Sequence, residues 1–486
     1  MVKIKICDAM MGTGKTTAAI NYMNEHSSER YLYITPLLEE DDRIAKACPT
    51  LNFYKPESKV WKKVNKLDDF HRLLKEGRNI VSTHALFSRY TEETLDLIKE
   101  GHYILMLDEV MEVVSAADAI HPLEMKHLLD DGIISVSEGG KVEVHDGIID
   151  KRHSSWGRIQ AFKDKPTIFD NNCFFMYEIP INRFDVFKEV FILTYMFDCQ
   201  VQKYYYDLFG YEYEYLYIKR HENYKDAKFT TNKDEALILH PNKELFSIVE
   251  DSELNDVGNK SSSGNRALSM SGYLNNEEMH NKLSSNLSRL YFKRWKCSEE
   301  SFLWTTFKGF KKDVEFKEIK DSFLSCNAKG TNAYSDRHYL AYLIDKYPHP
   351  YLVQYFSKRN IKIDRDGLAL SQMLQWIYRS AIRNGEPIKL YIPSKRMRDL
   401  LYKWLGVDNT KLSSPPESLL KYLGEYIPVK SDRGKELAEC VSEIAGETLT
   451  LSEACRWVEG HYDYVFVKDR IRIDHVKYVC VKLMAL

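Results

Sequence analysis

The sequence predicts an α/β protein: two tandem α/β domains with parallel central sheets, followed by a small C-terminal α+β region. Three observations lead there. Short continuous apolar runs alternate with helical stretches up to about residue 400. A glycine-rich stretch of phosphate-loop pattern follows the first run directly. Residues 410–486 then change texture, to two helical stretches and a hairpin-like end.

The elements follow in chain order. VKIKIC, YLYITP, RNIVSTHALF, HYILMLDEV and VFILTYMF read as buried strands of a parallel sheet covered on both faces. TAAINYMNEH between the first two reads as a helix. GIISVSEGGKVEVHDGIID sets two alternating runs around Gly-Gly, the pattern of a β-hairpin inserted after the DEV strand. These place a first domain at residues 1–200. The Tyr-rich YYYDLFGYEYEYLYIKRH alternates strictly at YEYEYLY and reads as a strand with one wet face. LNDVGNKSSSGNRALSMSG has loop composition. SFLWTTF, DSFLSC and IKLYIP repeat the α/β texture and place a second domain at residues 205–400. SSPPES reads as a linker. KELAECVSEIAG and LSEACRWVEG, with the final YDYVFVKDRIRIDHVKYVCVKL, fit either a winged-helix module or a plain α+β cap.

Composition bounds the function. The 486 residues are 44% hydrophobic and 29% charged, which excludes a wholly disordered chain. Sixty-nine Lys and Arg against seventy-one Asp and Glu exclude a polycation that coats nucleic acid. The charge is uneven, however. Residues 281–400 hold 23 Lys and Arg against 12 Asp and Glu, the excess a phosphate-backbone track requires. Candidates are Arg289, Lys293, Arg294 and Lys296, then Lys308, Lys311 and Lys312, then Lys395, Arg396 and Arg398. Trp304 and Trp376 are expected in the core. Nine cysteines without a C-x-x-C pair point to reduced thiols and a cytoplasmic setting. No apolar run reaches the ~18 residues of a membrane span, so no membrane partner is expected. MVKIKICDAMMGTGKTT leaves no room for a signal peptide ahead of the motif.

That motif is Ala9-Met10-Met11-Gly12-Thr13-Gly14-Lys15-Thr16-Thr17. Gly12 and Gly14 let the backbone of Gly12–Thr17 curl its N–H groups toward phosphates, and the following helix adds its positive end. Lys15 is expected to neutralise the β- and γ-phosphates of ATP, and the Thr16 hydroxyl to coordinate Mg²⁺. Hydrolysis needs carboxylates as well. Tyr103-Ile104-Leu105-Met106-Leu107-Asp108-Glu109 supplies two at a strand end, Asp108 for the metal and Glu109 for the attacking water. In the second half, Gln375, Arg379 and Arg383 recur every four residues, which predicts one shared helical face. A guanidinium there can stabilise transition-state charge on the γ-phosphate.

Together these residues resemble the superfamily-2 helicases, in particular their short phage-encoded members. AMMGTGKT resembles motif I, Ile34-Thr35-Pro36 motif Ia, and Ser82-Thr83-His84-Ala85-Leu86-Phe87 the T-H-x-x-F run before the DE box. Leu107-Asp108-Glu109 resembles motif II, Leu193-Thr194-Tyr195-Met196 motif III, Ser322 to Asn332 motif V, and Gln375 to Arg383 motif VI. The resemblance covers roughly residues 8–390. It departs in reading DEV-M at motif II and in spacing its two arginines by four residues rather than three. It implies two RecA-like domains, with ATP and a nucleic-acid strand as ligands; DNA is expected over RNA. It implies strand contacts at Thr35, Pro36, Thr83, His84, Thr194, Lys329 and Asn332, to which the basic excess adds Lys308 and Lys311. The expected function is an ATP-dependent helicase or translocase of phage replication or recombination, acting in the host cytoplasm. A single chain suffices, and the C-terminal region is free for a replication or recombination partner. The alternatives are a remodelling or packaging ATPase and a nucleotide-gated DNA-binding switch.

Overall fold

The strand β1, Lys3–Asp8, buries Ile4 and Ile6 and sits inside a seven-stranded sheet. This is a computed structural model. It describes residues 2–36, 38–58, 65–117, 122–138, 140–145, 159–162, 166–170, 174–220, 224–258, 266–274, 276–328, 333–407, 416–422, 426–462, 464–467, 472–473 and 476–483. The other strands named here are β2, Tyr31–Thr35, β3, Ile80–Thr83, and β4, Ile104–Asp108. Across the sheet the order is Lys228–Thr230, Tyr213–Lys219, β1, Glu189–Thr194, β4, β2, β3. All neighbours are parallel except the first pair. β2 and the first four residues of β4 are buried, as continuous apolar runs in a doubly covered sheet must be.

The chain divides into two compact units. The first is Met1–Leu239 with Pro348–Ser371; the second is His240–Tyr347 with Gln372–Leu486. The boundaries expected from the sequence were residues 200, 205 and 400. Tyr213–Lys219 continues the first sheet beside β1. Its buried side carries Leu216 and Ile218, while the Tyr213 and Tyr215 hydroxyls donate to Asp207 and Asp198. Those tyrosines are satisfied side chains of a strand with one wet face. Leu352, Tyr355, Phe356 and Ile363 return the chain to the first unit's core, which nothing in the local pattern announces.

The segment between β4 and Glu189 is larger than the expected hairpin. The hairpin is there, as Ile134–Val136 paired with Val142–Val144. An antiparallel sheet of Val114–Ala116, Phe174–Glu178 and Thr167–Asp170 joins it. Leu128, Ile134, Phe162 and Phe175 belong to a core that this segment holds apart from the main sheet.

The second unit has a four-stranded parallel sheet in the order Phe246–Ile248, Ile388–Tyr391, Tyr339–Tyr342, Phe302–Thr305. Trp304 and Trp376 lie in its core, their indole N–H groups donating to the carbonyls of Ile319 and Leu324. The C-terminal residues fall within this same unit and form its α+β region. Their helices Asp432–Ala445 and Leu451–His461 pack together, and Val476–Leu483 pairs antiparallel with Tyr426–Pro428 and Tyr464–Val467. Both helices have capped starts: the Ser431 hydroxyl accepts the Gly434 N–H, and Thr450 and Glu453 form a capping box.

Candidate nucleotide site

The parallel register lines up strand ends. Asp8 stands opposite Thr194, Leu193 opposite Asp108, Leu107 opposite Ile34, and Thr35 opposite Thr83. Five segments far apart in sequence thus end together at the C-terminal edge of one sheet. That edge is where α/β folds carry ligands.

The phosphate loop leaves β1 at this edge. Ala9 N–H donates to the Thr194 carbonyl at 3.1 Å. Thr13 is buried and turns back, its N–H and hydroxyl both donating to the Met10 carbonyl. Gly12 has φ 81° and Gly14 φ 104°, conformations that L side chains rarely adopt. Gly14 is the N-cap of the helix α1, Lys15–Glu25, and no side chain caps it. The N–H groups of its first turn, including those of Thr16 and Thr17, are therefore left for an anion. Lys15 Nζ donates to the carbonyls of Ala9 and Met10, so the ammonium is folded over the loop. Desolvation lowers its pKa below the usual lysine range; Cys7, Asp108, Asp8 and Glu109 oppose that shift electrostatically. Three carboxylates thus act on this one ammonium.

Asp108 ends β4. The buried Tyr33 of β2 donates its hydroxyl to Asp108 Oδ2 at 3.1 Å. Glu109 stands at φ 63°, a strained backbone conformation costing on the order of 1–3 kcal/mol. Its N–H donates to the Leu193 carbonyl at 2.9 Å, which holds the turn. Behind it, Met111 N–H donates to the buried Gln202 side chain. Thr35 and Thr194 are buried; Pro36, Thr83 and His84 are half-buried. The Thr194 hydroxyl has no hydrogen-bond partner among the described residues.

Asp8 and Tyr33 were not singled out by the sequence. Asp8 does carry a signal, a carboxylate ending an apolar run one residue before the loop. Tyr33 carries none, because only sheet order brings it beside Asp108.

The second unit changes part of the expected picture. Gln375, Arg379 and Arg383 do not share a helical face, because the helix Arg365–Ile377 stops short. The Ser380 hydroxyl donates to the Ile377 carbonyl, and Ala381 N–H leaves the helix to donate to the Arg337 carbonyl at 3.0 Å. Arg383 then lies on a separate short 3₁₀ turn, Ala381–Asn384. Gln375 is half-buried, Arg379 buried and Arg383 exposed.

Several arginines of the basic excess are paired. Arg294 bridges Asp251 at 3.3 Å and also reaches Glu447, Arg289 reaches Glu253 and Glu453, and Arg456 bonds Asp251. Arg396 bonds Asp345, and Arg398 bonds Glu250 and the carbonyls of Ile392 and Pro393. These arginines hold the unit together and are not a free face. Lys308 and Lys312 are exposed, and Lys311 lies 3.4 Å from Glu315 and over the Phe323 ring. Lys329 and Asn332 lie outside the described residues.

No helix among the described residues is long and apolar enough to cross a membrane. Nor do they contain a cluster of three or more His, Cys, Asp or Glu side chains suited to a metal.

Comparison with known proteins adds the lineage. Residues 241–405 match the family described as the YonV C-terminal Rossmann-like domain. The solved structure titled "Structure of S. tokodaii Xpd4" aligns at a TM-score of 0.43 and 11% identity, over 84% of this chain and 94% of that one. The crystal structure of the DUF1998 helicase MrfA bound to DNA aligns at 0.30 and 9% identity, over 100% of this chain and 55% of that one. Likenesses this weak carry no argument about activity. The SPbeta prophage-derived uncharacterized protein YonV of Bacillus subtilis (strain 168) is 37% identical over 416 residues, covering 83% of this chain and 99% of its own length. The chain therefore belongs to the YonV family.

Proposed function

We propose that this protein is a nucleic-acid-dependent ATPase of the helicase or translocase type, acting on DNA in a phage setting. One observation carries the reading. The sheet register brings the phosphate loop, the Asp108–Glu109 turn and the Thr194 strand end side by side at one edge.

The donor set fits ATP with Mg²⁺. Thr16 and Asp108 offer hard oxygen ligands, and Mg²⁺ is usually held by one or two carboxylates together with phosphate oxygens. Bound there, Mg²⁺ would neutralise phosphate charge. Gly12 to Thr17 bind the phosphates through backbone N–H groups, and Lys15 shifts from the Ala9 and Met10 carbonyls to phosphate oxygens. Tyr33 fixes the rotamer of Asp108. Glu109, aimed by its held turn, orients the attacking water. Thr35, Pro36, Thr83 and His84 are assigned to the strand. The prophage origin of the Bacillus relative supports a phage setting.

The test is steady-state ATP hydrolysis with Mg²⁺. Lys15→Ala is expected to reduce turnover to background, and Glu109→Gln to retain ATP binding while losing hydrolysis. Turnover unchanged in Lys15→Ala would refute the assignment.

A further inference from the structure

Asp8 does more than end β1. One carboxylate oxygen accepts the Met196 N–H and the other the Phe197 N–H, each at 2.8 Å. The next residue, Ala9, donates to Thr194. The phosphate loop is thereby fastened at three points to the turn after Glu189–Thr194. That strand lies between β1 and β4, so its turn is flanked by the phosphate loop on one side and Asp108–Glu109 on the other.

The turn needs holding. Met196 stands at φ 57°, a left-handed conformation that costs a residue with a Cβ roughly 1–2 kcal/mol. Two bonds to a charged acceptor can offset that cost. A carboxylate is specifically suited: it accepts with both oxygens, whereas an amide accepts with one and sets an NH₂ against the other donor. Burial is unfavourable to it, raising the Asp8 pKa despite the two amides and Lys15. Phosphate binding makes no demand for a negative charge here.

We propose that Asp8 is a positioning residue. It ties the phosphate loop to the Thr194–Phe197 turn, so that the turn follows the state of the loop and nucleic acid accelerates hydrolysis through this tie. The inference rests on the nucleic-acid-dependent ATPase reading above.

The test uses the full chain with Asp8→Asn beside the unaltered protein. It measures the KM for ATP, turnover with and without a single-stranded DNA oligonucleotide, and the melting temperature. The KM is expected to stay within about threefold. The stimulation ratio is expected to fall about tenfold, the equivalent of one hydrogen bond to a charged group. Adding Met196→Gly to Asp8→Asn is expected to restore much of the ratio, since glycine takes φ 57° unaided. An unchanged ratio in Asp8→Asn, or a ratio and KM that worsen together, overturns the proposal. So does a ratio that the glycine leaves unmoved. If the unaltered protein hydrolyses ATP without any stimulation, the nucleic-acid reading itself fails, and that result is read before any variant.

Discussion

The two units treat charge in opposite ways. In the first, Lys15, Asp108 and Glu109 gather at one sheet edge, and the lysine's close bonds are to backbone carbonyls of its own loop. In the second, Arg289, Arg294 and Arg456 meet Asp251, Glu253, Glu447 and Glu453 in direct ion pairs, several of them buried. A lysine bonded to carbonyls of its own loop can exchange those bonds for the oxygens of a ligand. A charge locked in a buried pair is structural, and its removal is felt as lost stability. Local charge counts cannot tell these two cases apart.

Breaking each arrangement should therefore fail differently. The largest effect is expected in the first unit: Lys15→Ala and Asp108→Ala remove ATP turnover, with little change in melting temperature. Loss of fold in either variant would make that edge structural too. Next is Arg379→Ala, where turnover is expected to fall about 10³-fold if the guanidinium stabilises phosphate charge. Undiminished turnover removes it from the mechanism.

In the second unit, Arg294→Ala leaves Asp251 and Glu447 short of a buried partner. It is expected to cost about 3–5 kcal/mol in urea unfolding, read where that unit melts. A cost below ~1 kcal/mol would mean that the pairs are replaceable.

Acid should act in the same place. Burial alone would raise the Glu453 pKa, but the Thr450 N–H, Arg289 and the Thr450 hydroxyl outweigh it, and the net shift is downward. A depressed carboxylate contributes stability above its unfolded pKa and loses it as pH falls through its folded one. Hydrogen exchange in Leu451–His461 is thus expected to accelerate below about pH 4. Glu453→Gln should abolish that pH dependence. The smallest effect is at the exposed Lys308: alanine there should weaken nucleic-acid binding modestly and lower its salt slope by about one.

Much of the first unit was legible because its chemistry is local. The glycines that need positive φ, the lysine and the following helix lie within a few residues, and the apolar runs of β2 and β4 announce a covered parallel sheet. What the sequence hid depends on tertiary placement. The return of 348–371 to the first core, and the Tyr33–Asp108 bond, follow from which strands become neighbours. The spacing of Gln375, Arg379 and Arg383 implied a helix, but Ser380 and the Ala381–Arg337 bond end it at Ile377. In the basic stretch, Arg289, Arg294 and Arg398 find their acidic partners at residues 250–253 and 447–453, outside the window in which the excess is seen.

The central claim is that the edge built from Lys15, Asp108 and Glu109 is a motor site driven by nucleic acid. The direct measurement is ATP hydrolysis with no nucleic acid, single-stranded DNA, duplex DNA and RNA, with Glu109→Gln in parallel. The account expects strong stimulation by DNA, lost in Glu109→Gln. Turnover indifferent to every nucleic acid would contradict it.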